Sequence, residues 1–473
     1  MKILRIMSSM AIATVAALTF SAQAASVDVT TARMEANNFV KSKMASKGMF
    51  NAPATADLKL AHAEASSVEG NAYYVFNIQG GGWVIIAGDD RAKQVLAYGD
   101  KGNIDMNNLP DNMKGYLNML KGQIETAQAY KGETVPVKAS KNRTVVEPLL
   151  KTDWSQGEPM NRLCPVNSAG ETTSVGCGPL AMAQILYYWK YPSEVSAIPG
   201  YTGTSNQWMA QLPATTFDYS KMLDNYYTHN PETGNPTGYV AFTEEQANEV
   251  AKLCRYCGQG CKVRYGNAEG TSSGSYTYDQ RDAFLLFGYN ENMKLIGKDP
   301  YSHCDNYPTV YSNDEWAALI CTELEAGRPI PYHDLYEGHA WVLDGVDAEG
   351  KFHMNWGFNG RFNGWFEMNA LIIHPNASTE WDFSQGNNGG NEMIIGMYPY
   401  DDYVIPGDEP TSIRGDVNKD GAVNIADVTK LIDYLLSQDA TGIDLEAANC
   451  NQDEEVNIAD VTKLIDYLLS QTW

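Results

Sequence analysis

At 473 residues the chain exceeds what one hydrophobic core of ordinary size accommodates, so two or more folded units are expected. A hydrophobic content of 44% with 11% aromatics supplies substantial cores and excludes disorder over most of the length. Fifty-eight Asp and Glu against 34 Lys and Arg leave a net charge of -24, which repels phosphate backbones and excludes nucleic acid as the main partner.

The chain begins with Lys2 and Arg5, an apolar stretch from Ile6 to Phe20, and Ser21-Ala22-Gln23-Ala24, a spacing that a signal peptidase reads. Residues 1–24 are therefore expected to be a signal peptide. No later stretch reaches the roughly 18 uninterrupted apolar residues that a membrane span requires. The mature protein is expected to be secreted, extracellular or periplasmic, with no membrane span.

Residues 25 to about 70 carry an Ala- and Lys-containing helical pattern. Ala72 to Ile78 and Trp83 to Ala87 then read as two strands joined at Gly80-Gly81-Gly82, and Met113 to Tyr130 as a helix. Lys138 to Arg143 is polar, basic and without periodicity, which predicts an exposed, cleavable linker ending a first domain at 25–143. A Trp-, Tyr- and Gly-rich block follows at 144–400, with a helix near Gly178 to Trp189 and strand signals concentrated after Ala340, the pattern of an α+β domain. Acidic residues with Pro406, Gly407 and Pro410 mark a short stiff linker at 401–411.

Among the eight cysteines, Cys254, Cys257 and Cys261 are clustered, but no partner pair or His follows at zinc spacing, so buried thiols or a local disulfide are expected there. Cys177 differs. Ser174-Val175-Gly176-Cys177-Gly178-Pro179 leads into Met182, Ile185, Leu186 and Trp189 at helical spacing, placing the thiol at the start of a buried helix. Unpaired amides and the positive end of the helix dipole favour thiolate there. His339, after Gly338 and at the start of the strand run Ala340 to Gly345, is the candidate base. A hairpin pairing Val346 with Lys351 sets Trp341 opposite Trp356, puts Trp356 on the His339 face, and points Asn355 the other way unless a bulge intervenes. Gln156, in Trp154-Ser155-Gln156-Gly157, offers an amide donor for an oxyanion beside the Cys177 backbone N–H.

The ordered set formed by Tyr73-Tyr74-Val75-Phe76, Gly81-Gly82-Trp83-Val84, Trp154-Ser155-Gln156-Gly157, Val175-Gly176-Cys177, Ser272-Ser273-Gly274-Ser275, Gly338-His339-Ala340-Trp341 and Asn355-Trp356-Gly357 resembles the streptopain family of papain-like cysteine peptidases from about residue 70 to 400. The resemblance implies a papain-like fold with an α+β inhibitory prodomain. It implies that Cys177 is the nucleophile, His339 the general base and acid, Gln156 an oxyanion donor, and Asn355 with Trp356 the support of the histidine. Ser273 and Ser275 would lie by the substrate channel, with protein or peptide substrates and no cofactor for catalysis. Gly178-Pro179 after the nucleophile, Glu337 before Gly338 and Phe358 after the Asn355-Trp356-Gly357 turn depart from the family pattern.

Residues 412–473 hold 4 Lys and Arg against 12 Asp and Glu, a difference of -8, and contain one sixteen-residue sequence twice, Val423 to Gln438 and Val456 to Gln471. Asp416, Asn418, Asp420, Asn424 and Asp427, with the carbonyl of Ala422, fall at the ligand positions of a calcium loop turning at Gly421. Asn449, Asn451, Asp453, Asn457 and Asp460, with the carbonyl of Glu455, repeat the spacing, although Asn449 replaces a carboxylate and Glu454 the turn glycine, which predicts weaker binding. Two such units resemble the type I dockerin module. This implies a small all-α calcium-binding domain and a cohesin-like scaffold as partner, met through Ile425, Ala426, Val428, Thr429 and Leu431 or their duplicates. Besides a secreted cysteine endopeptidase made as a zymogen, the sequence admits a non-catalytic secreted binding protein displayed through the calcium module, or an amidase or transglutaminase using the same pair of residues.

Overall fold

The computed structural model describes residues 26–47, 57–130, 134–136, 144–203, 207–266, 272–334, 338–370, 373–375, 390–400, 413–420, 422–453, 455–470 and 472–473. The expected signal peptide, the basic stretch 138–143, the linker 401–411, Glu337, Gly421 and Glu454 lie outside the described residues. The chain forms two units, 1–401 and 402–473.

In the first unit, helix α1 (Val29–Lys47) precedes strands β1 (Leu58–Ala65), β2 (Asn71–Ile78), β3 (Trp83–Ala87) and β4 (Val95–Gly99), and helix α2 (Asp111–Ala129) follows. Beyond Trp154 come α3 (Cys177–Trp189), α4 (Glu244–Gly260), α5 (Thr277–Leu286), strand β5 (Lys294–Gly297) and α6 (Asn313–Glu325). Strands β6 (Ile330–Asp334), β7 (His339–Val346), β8 (Phe352–Asn355), β9 (Gly364–Phe366) and β10 (Asn391–Ile395) complete the unit's main sheet among the described residues. Its order is β1-β2-β3-β4-β9-β8-β7-β6-β10-β5.

The helical expectation for residues 25–70 holds over Val29–Lys47 and fails at Leu58–Ala65. Leu58–Ala65 is a strand, because it pairs antiparallel with β2 from Leu58 opposite Ile78 to Ala65 opposite Asn71. Cross-strand pairing overrides the helix preference of its Ala and Lys residues. The hairpin of β2 and β3 has the expected composition, with Tyr74 opposite Ile86 and Phe76 opposite Val84.

The sheet is continuous from the N-terminal segment into the central domain, since Trp365 of β9 pairs with Tyr98 of β4 and Phe366 with Ala97. One face is covered by α2 and α6, whose Tyr116, Leu120, Ile124, Trp316, Ile320 and Leu324 share a single core with Trp83, Tyr332, Trp341, Trp356 and Phe366. Over β2 to β4 the opposite face packs Tyr74, Phe76, Val84 and Ile86 against Ala32, Ala36 and Val40 of α1. The period-two alternation of strand side chains sorts these residues into the two cores.

Polar groups also close this seam. Lys43 Nζ lies 2.8 Å from Glu349 Oε2. Tyr98 donates to Asp347 Oδ2 at 2.9 Å. Gln123 both donates to the Met368 carbonyl at 3.2 Å and accepts from the Ala370 N–H at 2.9 Å.

The second unit consists of α7 (Ile425–Ser437), α8 (Leu445–Ala448) and α9 (Ile458–Ser470) around a small core of Val417, Val428, Leu431, Ile443, Ala448, Cys450, Val461 and Leu464. Val428 and Leu431, with their duplicates Val461 and Leu464, are therefore committed to internal packing and are not available to a partner, contrary to their inclusion in the expected docking surface. Ile425 and Leu436 are 70% and 81% exposed, and their duplicates Ile458 and Leu469 are 69% and 81% exposed.

Phe366 lies where the two halves of the first unit meet, with ring centroids 5.7 Å from Trp83, 5.0 Å from Tyr116 and 5.2 Å from Trp356. Replacing it with Ala is expected to destabilise the first unit by about 3–5 kcal/mol, through lost burial and the cavity left behind. Urea unfolding followed by tryptophan fluorescence checks this, and an unchanged midpoint would refute the packing account.

Candidate active site

Helix α3 starts at Cys177 because Gly176 takes φ +94°, turning the chain so that its carbonyl accepts from Leu180 N at 3.1 Å. That backbone conformation favours glycine. The half-buried thiol stands at the helix N-terminus, beside the His339 imidazole that acts on its ionisation. Burial pushes the thiol up, but the His339 hydrogen bond and charge, with the backbone N–H groups of Ala340 and Gly178, outweigh it and hold Cys177 below the ordinary thiol value. His339 is half-buried at the first position of β7, after Gly338 at φ +71°.

The hairpin of β7 and β8 carries a bulge at Asp344. Val346 pairs with Phe352 and Gly345 with His353, one residue out of the expected register; beyond the bulge Leu343 pairs with Met354 and Val342 with Asn355, as expected. Trp341 and Trp356 accordingly pack with centroids 4.9 Å apart. Asn355 turns its amide elsewhere: Nδ2 donates to the Thr152 carbonyl at 2.7 Å, and Oδ1 accepts from Gly357 N at 3.2 Å. Thr152 in turn donates to Gln184 of α3 at 2.7 Å, so Asn355 ties this turn to the helix that carries Cys177.

The Gln156 loop is drawn to the same place. Ser155 forms an antiparallel bridge with Phe358, Asn359 N donates to the Trp154 carbonyl at 2.9 Å, and Val175 N donates to the Gln156 carbonyl at 3.0 Å. Gln156 is half-buried, and its side-chain amide makes no hydrogen bond among the described residues. Ser273 and Ser275 lie against the turn before α3. A Cβ on Gly178 would sit 2.6 Å from Ser275 Oγ, and one on Gly176 would sit 3.4 Å from the Ser273 carbonyl. Gly178 thus leaves the room that the Ser275 hydroxyl occupies.

Two residues that sequence reasoning passed over complete the surroundings. Gln280 of α5 donates to the Gly178 carbonyl at 2.7 Å and accepts from His333 Nε2 at 2.6 Å. Burial lowers His333 to about 3, so it is neutral and acts as a donor. Gln280 lies in no motif, and only its complete burial in the fold marks it.

Residues 154–366 match the peptidase C10 family, residues 24–124 the Spi protease inhibitor and residues 414–469 the dockerin type I domain. Over that central segment the chain is similar to the streptopain-like cysteine peptidases. It is 28% identical to streptopain of Streptococcus pyogenes over 386 residues, covering 78% of this chain and 91% of that one. It is 27% identical over 389 residues to the thiol protease/hemagglutinin PrtT of Porphyromonas gingivalis, covering 78% of this chain and 42% of that one. In fold it is similar to a prointerpain A fragment of Prevotella intermedia, with a TM-score of 0.55 and 24% identity over 73% of this chain and 100% of that one. This streptopain-like peptidase joins an inhibitor-type prodomain, a papain-like domain and a dockerin module.

Six of its other thiols lie in surroundings of the opposite kind. Burial raises Cys164 to about 12, burial and acidic neighbours raise Cys304 and Cys450 to about 12, and Cys254, Cys257 and Cys261 are buried free thiols pushed well above the ordinary range. Iodoacetamide below the ordinary thiol range is therefore expected to modify Cys177 selectively. His339→Ala should move the pH profile of that modification upward, because it removes the partner that favours thiolate. Peptide mapping that finds Cys254 or Cys257 labelled first would overturn this.

Proposed function

We infer that the protein is an exported zymogen of a cysteine endopeptidase in which Cys177 attacks the peptide carbonyl and His339 carries the proton. The observation that carries this reading is the placement of Cys177 at a helix N-terminus near His339, whose imidazole holds the thiol below its ordinary value. Thiolate and imidazolium stabilise each other. As the sulfur–carbon bond forms, the carbonyl oxygen gains negative charge, which the Cys177 backbone N–H and the Gln156 amide stabilise. The imidazolium then protonates the departing amine. Water, deprotonated by the neutral imidazole, releases the acyl group and restores the thiol.

Trp356, packed on Trp341, and Asn355, bonded to Thr152, hold the turn beside the histidine. Ser273 and Ser275 border the substrate channel. Residues 25–143 act as the inhibitory prodomain, a role supported by the addition of β1 to β4 to the sheet that bears His339. Their removal by cleavage near Lys141 to Val145 yields the mature enzyme.

The dockerin loops fit calcium. The donors are all oxygen, Asp427 and Asp460 are wholly buried, and Asn449 Oδ1 is buried without a hydrogen-bond partner among the described residues. Asp416, Asn418, Asp420, Asn424, Asp427 and the Ala422 carbonyl would hold one ion. Asn449, Asn451, Asp453, Asn457, Asp460 and the Glu455 carbonyl would hold the second. The ions supply charge neutralisation to a segment with an excess of acidic residues. Exposed Ile425, Leu436, Ile458 and Leu469 then offer an apolar surface to a cohesin-like scaffold.

In the processed enzyme, Gln156→Ala is expected to lower kcat by about 10²–10³ with little change in KM, since the amide acts on charge present only in the transition state. Cys177→Ala is expected to abolish cleavage of a denatured protein, and equal cleavage by both forms sinks the assignment. A chelator should unfold the dockerin module, seen as lost helical circular dichroism and new proteolytic sites between 413 and 473. Resistance to the chelator would remove calcium from the account.

A further inference from the structure

Strand β5 forms one edge of the main sheet, and the chain beyond it folds back onto that edge. Asp305 N donates to the Leu295 carbonyl at 2.8 Å, and Asp305 Oδ2 accepts from Leu295 N at 2.8 Å. Asn306 Oδ1 accepts from Gly297 N at 3.0 Å, while its Nδ2 donates to the Gly297 carbonyl at 2.8 Å. These bonds fix His303 and Cys304, the two residues just before, against the strand. Gly297 is needed there: a Cβ would sit 3.1 Å from Cys304 Sγ and 2.9 Å from Pro300 Cα.

Gly297 pairs with Glu392 of β10, which is 2% exposed. Glu392 Oε1 lies 2.5 Å from His303 Nε2 and 3.3 Å from Cys304 Sγ. Its Oε2 is buried with no hydrogen-bond partner among the described residues. Leaving such an atom unsatisfied is unfavourable unless something else meets it. The donor atoms of His303, Cys304 and Glu392 all lie within 4.8 Å of one another. Tyr301 stacks on the His303 ring at 5.8 Å and Tyr278 meets it edge-on at 5.5 Å, which orients the imidazole.

We propose that His303 Nε2, Cys304 Sγ and the Glu392 carboxylate bind a divalent transition-metal ion, with zinc as the best match. One nitrogen, one sulfur and one oxygen suit a borderline-soft ion that accepts four ligands, whereas the hard calcium ion avoids sulfur. The His303 side chain is 33% exposed, so an ion can reach the site from solvent on the histidine's side. Binding releases the Cys304 proton to water and converts the thiol to a thiolate ligand. The metal's positive charge reverses the disfavour in which burial and the Glu392 carboxylate otherwise hold that thiolate. None of the three side chains takes part in the peptidase mechanism above. The site fastens the loop after β5 to β10, which lies next to the strand carrying His333.

The test uses the full chain carrying Cys177→Ala, so that the nucleophile is not a competing ligand, with calcium in excess to occupy the dockerin loops. Cobalt(II) serves as the spectroscopic probe. One equivalent is expected to bind with a near-ultraviolet thiolate-to-cobalt charge-transfer band that zinc abolishes by displacement. On the same background, Cys304→Ser should eliminate the band, and His303→Ala, at a partly exposed position, should weaken cobalt binding at least about tenfold. Absence of any band, or a band that survives Cys304→Ser or keeps its affinity in His303→Ala, overturns the proposal.

Discussion

For the imidazole of His339 to favour the Cys177 thiolate, two residues 162 positions apart in the chain must come close together, and a helix and a central strand of the first unit bring them there. The thiol is placed by a helix whose first turn is set by Gly176, and the imidazole by the first residue of a central strand. A buried thiol left alone would stay protonated, as Cys164, Cys254, Cys257 and Cys261 illustrate. What distinguishes Cys177 is a partner that becomes more favourable as negative charge develops on sulfur, together with backbone N–H groups aimed at it.

The surroundings hold that pair without titrating. His333 is neutral because it is buried, and it serves only to orient Gln280, which fixes the carbonyl of Gly178. Asn355, Thr152 and Gln184 perform the equivalent task between the turn beside the histidine and α3. Each of these groups satisfies buried polar atoms that would otherwise be costly, and each also restricts the movement of the elements that carry Cys177 and His339. Joining the prodomain strands to the same sheet extends this rigidity across the zymogen, through β4 paired with β9 and the Phe366 contacts.

The dockerin module follows a different economy of burial. Its core is small, each of its two repeated helices gives Val and Leu to it, and the closing Asp of each loop accepts two backbone N–H groups from its own loop. Duplication makes the two halves nearly equivalent in packing, yet the loops differ where Asn449 stands in place of Asp416. The same apolar stripe divides between a buried part and an exposed part, because a helix of this length cannot bury all of its apolar positions against one short twin.

Local patterning determined a good deal of this by itself: the start of α3, the β2–β3 hairpin and the duplicated loops all follow from periodicity, glycine placement and oxygen-ligand spacing, which act over a few residues. The tertiary structure alone decided that Leu58–Ala65 is a strand, because its partner β2 outweighs local propensity. It alone set the bulge at Asp344, since register depends on which face must be buried and not on the turn alone. It also brought Gln280, His333 and the His303, Cys304 and Glu392 group into place, residues in no motif whose meaning comes from burial and from neighbours distant in the chain. A sequence records which chemical groups are present; only folding sets which of them lose water together, and that loss is what changes their chemistry.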